Sequence, residues 1–435
     1  MKIALIGQDI PTLLPGLLTD LLFAGRAEAD LTAEEKNPAM TELLQGYGDA
    51  VRKKAGAGGS WTVSADRKTV LDGADCVIYA GDCQPGSRFR MDREALSGEG
   101  EDNPGLTDQA RVNGGLGGLM HTLRAGEEAL RLCDAMDGAC PKALVISLGQ
   151  PAARITEVFL RRGYRCFGLG RTPMKGASGV DTYLKRMKIP PERGQVTVAG
   201  LPGFAFLLRI ADGNLDRTEK LKRAARNGEL GALSRRWLDW WDALPAGDVT
   251  DLAEFLPAEP DYIPEERPEF GETVEKRKER ILYMNTVREQ GAESREGAMA
   301  QLLLLSKVPP VRPMRLALAL LRKESAEIEA VARKNNGNLP ALPPEAVIEA
   351  KLTLRDGEEI PQRISLPPAL AEILREVDAV NRLAARAAFG DREALREVLE
   401  TDPAMEGLDR LYCMDVADAL IRLHADVLPR FRDGE

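Results

Sequence analysis

Apolar runs of strand length alternate with amphipathic stretches over the first half of this chain, a pattern that predicts strand–helix–strand units. Lys2–Gly7 is an apolar strand ending in glycine, and a helical pattern follows from Pro11 to Phe23. Arg26–Thr32 is a weak strand candidate. Ala74–Ala80 is a clear buried strand that runs into Gly81-Asp82. A polar loop with Arg88, Arg90 and Asp92 is expected next, and 97–105 also reads as loop. Gly114–Gly118 opens a helix predicted from about Leu119 to Met136. Ala143–Leu148 is a strand, Gly149–Pro151 a breaker cluster, and the residues around Val158 and Phe159 an amphipathic helix. Arg165–Leu169 is the next strand, and Gly170–Pro173 turns the chain again. A strand–helix–strand unit of this length forms a right-handed crossover in a parallel sheet. Ligands of such sheets bind beyond the carboxyl ends of the strands, here at Gly149–Pro151 and Gly170–Pro173.

The second half is less regular. Val196–Phe206 is strand, Pro-Gly break, then helix or strand. Asn214–Leu244 is helical and polar, and three of the four tryptophans sit at 237, 240 and 241. A Pro-rich acidic connection or lid spans 247–270, and a charged helix follows from Glu272 to Arg288. Met299–Val308 and Met314–Glu327 read as apolar helices, Asn335–Pro344 as a turn-rich loop, Val347–Leu354 as a strand, and Leu366 onward as helix. The fold class is therefore α/β: an N-terminal Rossmann-like doubly wound parallel sheet over 1–195, and a C-terminal α+β lobe over 196–435.

Composition narrows the partners. With 68 acidic and 59 basic residues the net charge is −9, which argues against nucleic acid or an anionic membrane. Six irregularly spaced cysteines without a CxxC pair fit reduced thiols in a cytoplasmic protein. The first apolar run is too short for a signal peptide. Only two histidines are present, His121 and His424, so a triad or a histidine-rich metal site must use one of them.

The first βα turn is Gly7-Gln8-Asp9-Ile10, where a dinucleotide fingerprint carries a second glycine in place of Asp9. Asp9 either fills the anion site at the helix N-terminus or simply caps the helix. Gly7, Asp9, Ile10, Gly81 and Glu34, the acid nearest the second strand, are the candidate cofactor residues. The Gly114–Gly118 run either cradles an anion or allows close helix packing. The tryptophan cluster reads as core or subunit interface, with a sugar-stacking platform as the alternative.

These residues together resemble glycoside hydrolase family 4, NAD- and divalent-metal-dependent glycosidases with a fold related to lactate and malate dehydrogenases. The resemblance is carried by KIALIG at Lys2–Gly7, ADCVIYAGD at Ala74–Asp82 and GLGGLMHTLR at Gly115–Arg124. It also rests on the Ala143–Pro173 crossover and on NNGNLPALPPEAVIEA at Asn335–Ala350. It implies hydride transfer from a sugar carbon to NAD, a metal held by Cys and His that polarises the ketone, and a tyrosine that removes the neighbouring proton.

The family positions for that chemistry are substituted here. Gly170 stands where the metal Cys belongs, Arg171 beside it, Gly203 at the metal His, and Trp237 opens the tyrosine motif. Gln150 replaces an Asn, and Val112 stands where members have Glu. A divalent metal is accordingly not expected, and the weakened glycine loop leaves NAD binding open. Arg171 places permanent positive charge in the pocket, to bind an anion or to pair with Asp82 or Asp181.

Arg88, Asp92, Gln150 and Arg171 are the candidate substrate-binding residues, and Asp82, Asp92, Tyr183 and His121 the candidate substitute bases. Two readings follow. One is a glycosidase of this class acting on a sugar or sugar phosphate with NAD. The other is a catalytically inactive homologue that binds a sugar, an anion or a protein. A homo-oligomer is expected in either case. A lactate-type dehydrogenase would need a catalytic His with an Asp partner in the second half, and His424 has the neighbours of a packed or surface residue.

Overall fold

The computed structural model describes residues 1–8, 10–23, 28–99, 104–170, 173–174, 176–257, 274–291 and 312–432. The N-terminal half alternates β1 (Lys2–Ile6), α1 (Ile10–Phe23), β2 (Asp30–Glu34), α2 (Pro38–Ala55), β3 (Trp61–Ser64), α3 (Arg67–Leu71) and β4 (Cys76–Tyr79). It continues through α4 (Pro85–Glu99), α5 (Gly115–Ala139), β5 (Leu144–Ser147), α6 (Ala152–Arg161) and β6 (Cys166–Gly168). The six strands are parallel in the order β3-β2-β1-β4-β5-β6. The order reverses between β1 and β4, the place where a doubly wound sheet opens its ligand crevice.

Strand alternation builds the layers. Ile3, Leu5, Leu31, Ile78 and Ile146 pack with α1 and α2 on one face. Ala4, Ile6, Val77, Tyr79 and Val145 pack with α3, α5 and α6 on the other. Caps fix the helix starts: Asn37 accepts from the amides of Ala39 and Met40 at α2, and Asp66 from those of Lys68 and Thr69 at α3.

The rest of the chain comprises α7 (Val180–Met187), β7 (Gly194–Leu201), β8 (Phe204–Asp212), β9 (Leu215–Asp216), α8 (Thr218–Arg226), α9 (Gly231–Trp241) and β10 (Leu244–Pro245). Then come α10 (Val249–Ala253), α11 (Val274–Gln290), α12 (Pro313–Leu321), β11 (Ala326–Lys334), β12 (Val347–Arg355) and β13 (Glu358–Glu359). Three helices close it: α13 (Pro368–Ala387), α14 (Arg392–Thr401) and α15 (Arg410–Leu423). Ala332 of β11 bridges Gly168 of β6, so one mixed sheet runs β10-β8-β7-β12-β11-β6 and on into the parallel half. Residue 195, where the sequence divides the chain, lies inside β7. The fold is α/β, as expected.

Some expectations change. The polar loop expected to carry Arg88 and Asp92 is the helix α4, which buries Phe89 and Leu96; packing overrides weak helical propensity there. The weak second strand lies later, at Asp30–Glu34, and Glu34 ends it. The segment after the Pro-Gly break is strand, with Gly203 at φ +81° in the hairpin turn. The polar stretch 214–244 divides into β9, α8, α9 and the start of β10. The apolar helix from Met314 ends at Leu321, and Ala326–Lys334 is a strand. Met299–Val308 and most of the 247–270 connection lie outside the described residues.

Candidate functional site

The switch point, beyond which ligands of such sheets bind, lies where β1 and β4 meet. Gly7 has φ +128°, and a Cβ there would lie 2.2 Å from the carbonyl carbon of Ala80. Only glycine lets the two loops touch in this way. The Ile10 amide donates to the Gly7 carbonyl at 3.1 Å, and the Ile10 side chain is buried. Asp9 lies outside the described residues. Glu34 stands at the carboxyl end of β2, where such folds place the acid for a ribose diol. Its two oxygens accept from Arg67 Nε at 3.1 and 3.0 Å, and Lys36 Nζ is 3.9 Å away. A groove of about 740 Å³ opens beyond β2 and β3, lined by Lys36, Thr41, Gln45, Ser64 and Arg288 among others. The position and backbone of Gly7, Gly81 and Glu34 suit a dinucleotide.

The loops after β4, β5 and β6 follow along the same end of the parallel sheet. Asp82 Oδ2 lies 2.6 Å from His121 Nε2, with both side chains less than 8% exposed. The Tyr79 phenol sits against Gly81 and Gly149, and burial raises its pKa well above the ordinary value. Gln150 precedes Pro151 through a cis peptide bond. A Cβ on Gly170 would lie 3.4 Å from Gln150 Nε2, so these two candidates are neighbours. Arg171 lies outside the described residues.

Gly203 stands elsewhere, since β11 and β12 separate β6 from β7. A Cβ on Gly203 would approach Phe255 at 3.4 Å and Asn113 Oδ1 at 3.8 Å. The Glu254 carboxylate accepts from the amides of Val112 and Asn113 and from the Asn113 side chain. The glycine run at the start of α5 already holds an anion from this chain, because Asp402 Oδ2 accepts from the Gly115 amide at 2.9 Å.

Two buried ionisable side chains complete this region. Arg154 of α6 donates to Asn381 and Thr122, and burial lowers its pKa to about 10, against the raising effect of Asp402 and Glu254. Glu349 of β12 is pushed up to about 8 by burial, opposed by a bond from the Gly203 amide. Neither residue was singled out from the sequence. The available signal was a charge inside an apolar pattern: Glu349 in Val347–Ala350 and Arg154 on the inner side of α6.

Arg88 and Asp92, expected to face substrate, lie instead inside the protein. Asp92 is fully buried, accepts from Arg124 at 3.2 and 2.7 Å, and has His424 Nε2 at 2.6 Å. Arg88 pairs with Asp426 and approaches His424 Nδ1 at 3.4 Å. Tyr183 donates to the Pro245 carbonyl, and burial pushes it up to about 12. Trp237 is 0% exposed among Phe204, Phe206 and Trp241, so its role is packing; Trp240 is exposed beneath Arg236. Gly170 and Gly203 offer no side-chain donor. With glycine at both positions, these two residues cannot supply the thiolate and imidazole of a Cys–His metal site.

Known proteins share this architecture. The chain is 21% identical over 402 residues to the probable 6-phospho-beta-glucosidase of Bacillus subtilis (strain 168), covering 87% of this chain and 85% of that one. A shorter match, 28% over 163 residues, covers 37% of this chain and 35% of an alpha-glucosidase of Erwinia rhapontici. The fold matches the 6-phospho-beta glucosidase of Thermotoga maritima, solved with manganese, NAD+ and glucose-6-phosphate. There the TM-score is 0.69 at 16% identity, over 98% and 99% of the two chains. It also matches a Plasmodium falciparum malate dehydrogenase, with a TM-score of 0.53 at 13% identity over 89% and 98%. The model for family 4 glycosyl hydrolases matches residues 30–182, and that for the family's C-terminal domain matches 198–405. Over most of its length, then, this chain belongs to the family 4 glycosyl hydrolases.

Proposed function

We propose that the chain is a cytoplasmic, homo-oligomeric glycosidase that uses NAD on a phosphorylated sugar and works without a Cys- and His-held metal. The observation that carries the reading is the contact of Gly7 with Ala80 and Gly81 at the reversal of strand order. It leaves a close-packed backbone at the crevice, with Glu34 at the end of β2. Gly7, Ile10 and Gly81 would hold the dinucleotide, and Glu34 would meet its ribose once Arg67 shifts. When bound, the dinucleotide supplies a hydride acceptor that converts a ring carbinol to a ketone. The sugar would lie beside Gln150, with the half of the chain from residue 196 contributing to its site, and the charge of Arg171 would suit an anionic group on it. A relative named as a probable 6-phospho-beta-glucosidase, and a similar fold solved with glucose-6-phosphate, support the substrate class.

The absent metal donors and the buried Trp237 favour a second reading, a homologue that binds without turning over. One experiment separates them. Purified protein is incubated with NAD+ and aryl 6-phospho-glucosides of both anomers, with and without EDTA. NAD-dependent release of the aryl group, unchanged by EDTA, supports the first reading. No release, with a rise in melting temperature on adding NAD+ or glucose-6-phosphate, supports the second.

A further inference from the structure

A buried cluster of titratable groups stands at the reversal of strand order, apart from the family's tyrosine position at Trp237. Asp82, just beyond β4, has its Oδ2 2.6 Å from His121 Nε2, and its Oδ1 accepts from the Cys83 amide at 2.6 Å. With Nε2 donating, the carboxylate is fixed at both oxygens. The Tyr79 hydroxyl is buried and has no hydrogen-bond partner among the described residues. A Cβ on Gly81 would lie 2.4–2.8 Å from atoms of this phenol, and one on Gly149 would lie 3.1 Å from its Cε1. The ring thus lies between the loops that end β4 and β5. Burial and the charge of Asp82 keep it protonated, which suits donating a hydrogen bond. An indole N–H at Trp237 cannot accept a proton, so the proton acceptor of the reaction has to be another group.

We propose that Asp82 takes the proton from the sugar carbon next to the ketone, that His121 is its positioning residue, and that the Tyr79 hydroxyl donates to a sugar oxygen. This rests on the NAD-linked reading above, in which the nicotinamide dinucleotide is the oxidant that makes the ketone. In the step itself a C–H bond breaks and the proton passes to the Asp82 carboxylate. The electron pair stays on the sugar and forms a C=C bond as the glycosidic C–O bond breaks. The departing oxygen takes a proton from water.

The test follows exchange of that sugar hydrogen for deuterium by NMR in D2O, with an aryl 6-phospho-glucoside and NAD+. Fluorescence titration of NAD+ affinity runs in parallel. Asp82→Asn loses exchange by at least about 100-fold and keeps the parent affinity for NAD+. His121→Gln lowers exchange and moves the acidic limb of its pH profile. Should Asp82→Asn fail to fold, Asp82→Glu keeps the charge, displaces it by one methylene, and lowers exchange in a folded protein. Exchange at the parent rate in Asp82→Asn or Asp82→Glu overturns the assignment, as does loss of NAD+ affinity in step with loss of exchange. Absence of exchange and of NAD-dependent turnover in the parent protein overturns the NAD-linked reading itself, and this assignment with it.

Discussion

Asp92 of α4 and Arg124 of α5 are joined by two hydrogen bonds, and neither side chain is more than 1% exposed. The same carboxylate holds His424, which follows α15, so one acid ties three helices together. A buried pair of this kind adds little over a well-packed apolar pair, but losing one partner leaves a bare charge in the interior. Asp92→Asn should therefore cost about 3–5 kcal/mol of unfolding free energy, measured by urea denaturation. Asp426→Asn, at the exposed end of the same network, should cost no more than about 1 kcal/mol, because its side chain is 61% exposed. Equal losses in the two variants would mean that burial does not set the energetics of this network.

Glu349 gives the chain a pH dependence of predictable sign. Burial holds its carboxyl at about 8, against 4.5 for the unperturbed group. Below 4.5 both folded and unfolded chains carry the proton. Between 4.5 and about 8 the unfolded chain has lost it while the folded chain keeps it, so this residue's contribution to stability falls as pH rises. Above that window the contribution is constant. Asp378, pushed up to about 7 by burial, acts in the same direction. Glu349→Gln resembles the protonated form at every pH. Its stability relative to the parent should be near zero at pH ~4.5 and grow by on the order of 4 kcal/mol by pH ~8. Thermal unfolding across that range checks it, and a difference that stays flat would show that the carboxyl ionises freely in the folded chain.

The crossover from Ala143 to Pro173 was legible because it is local: an apolar run, a Gly-Gln-Pro break, an amphipathic helix and a second run define β5, α6 and β6. The packing role of Trp237 and Trp241 was legible for the same reason, as a helical spacing of aromatic residues. The position of Arg88 and Asp92 was not, because two of the groups that close their network, His424 and Asp426, lie more than 300 residues away in sequence. The anion site at the start of α5 reads as open for a similar reason: Asp402, which fills it, lies 287 residues along the chain from Gly115. β11 was missed because its outer part alternates Glu with Ile and Ala while only the inner part is fully buried, so neither a two-residue nor a helical period dominates. The chemistry of the crevice shows the same division. Residue identities at Gly170, Gly203 and Trp237 tell what is absent. Only the three-dimensional structure brings Asp82 to His121, 39 residues apart.

Gly7 carries the last prediction, because the crevice depends on it. At φ +128° an L side chain is strained, and a methyl group would meet the Ala80 carbonyl carbon at 2.2 Å, its oxygen at 2.3 Å and the Gly81 nitrogen at 2.4 Å. All three are backbone atoms in or next to β4, so none can swing aside as a flexible side chain would. Gly7→Ala should force the β1–α1 loop away from β4, destabilise the protein by about 3 kcal/mol, and abolish any rise in melting temperature on adding NAD+. Gly56 is the control. It too has a positive φ, of 60°, but nothing lies within 4 Å of its would-be Cβ. Gly56→Ala should cost only about 1 kcal/mol and leave the NAD+ response intact. If the two variants lose the same stability and respond alike to NAD+, then backbone strain alone accounts for Gly7, and the close approach to Ala80 does not shape the crevice.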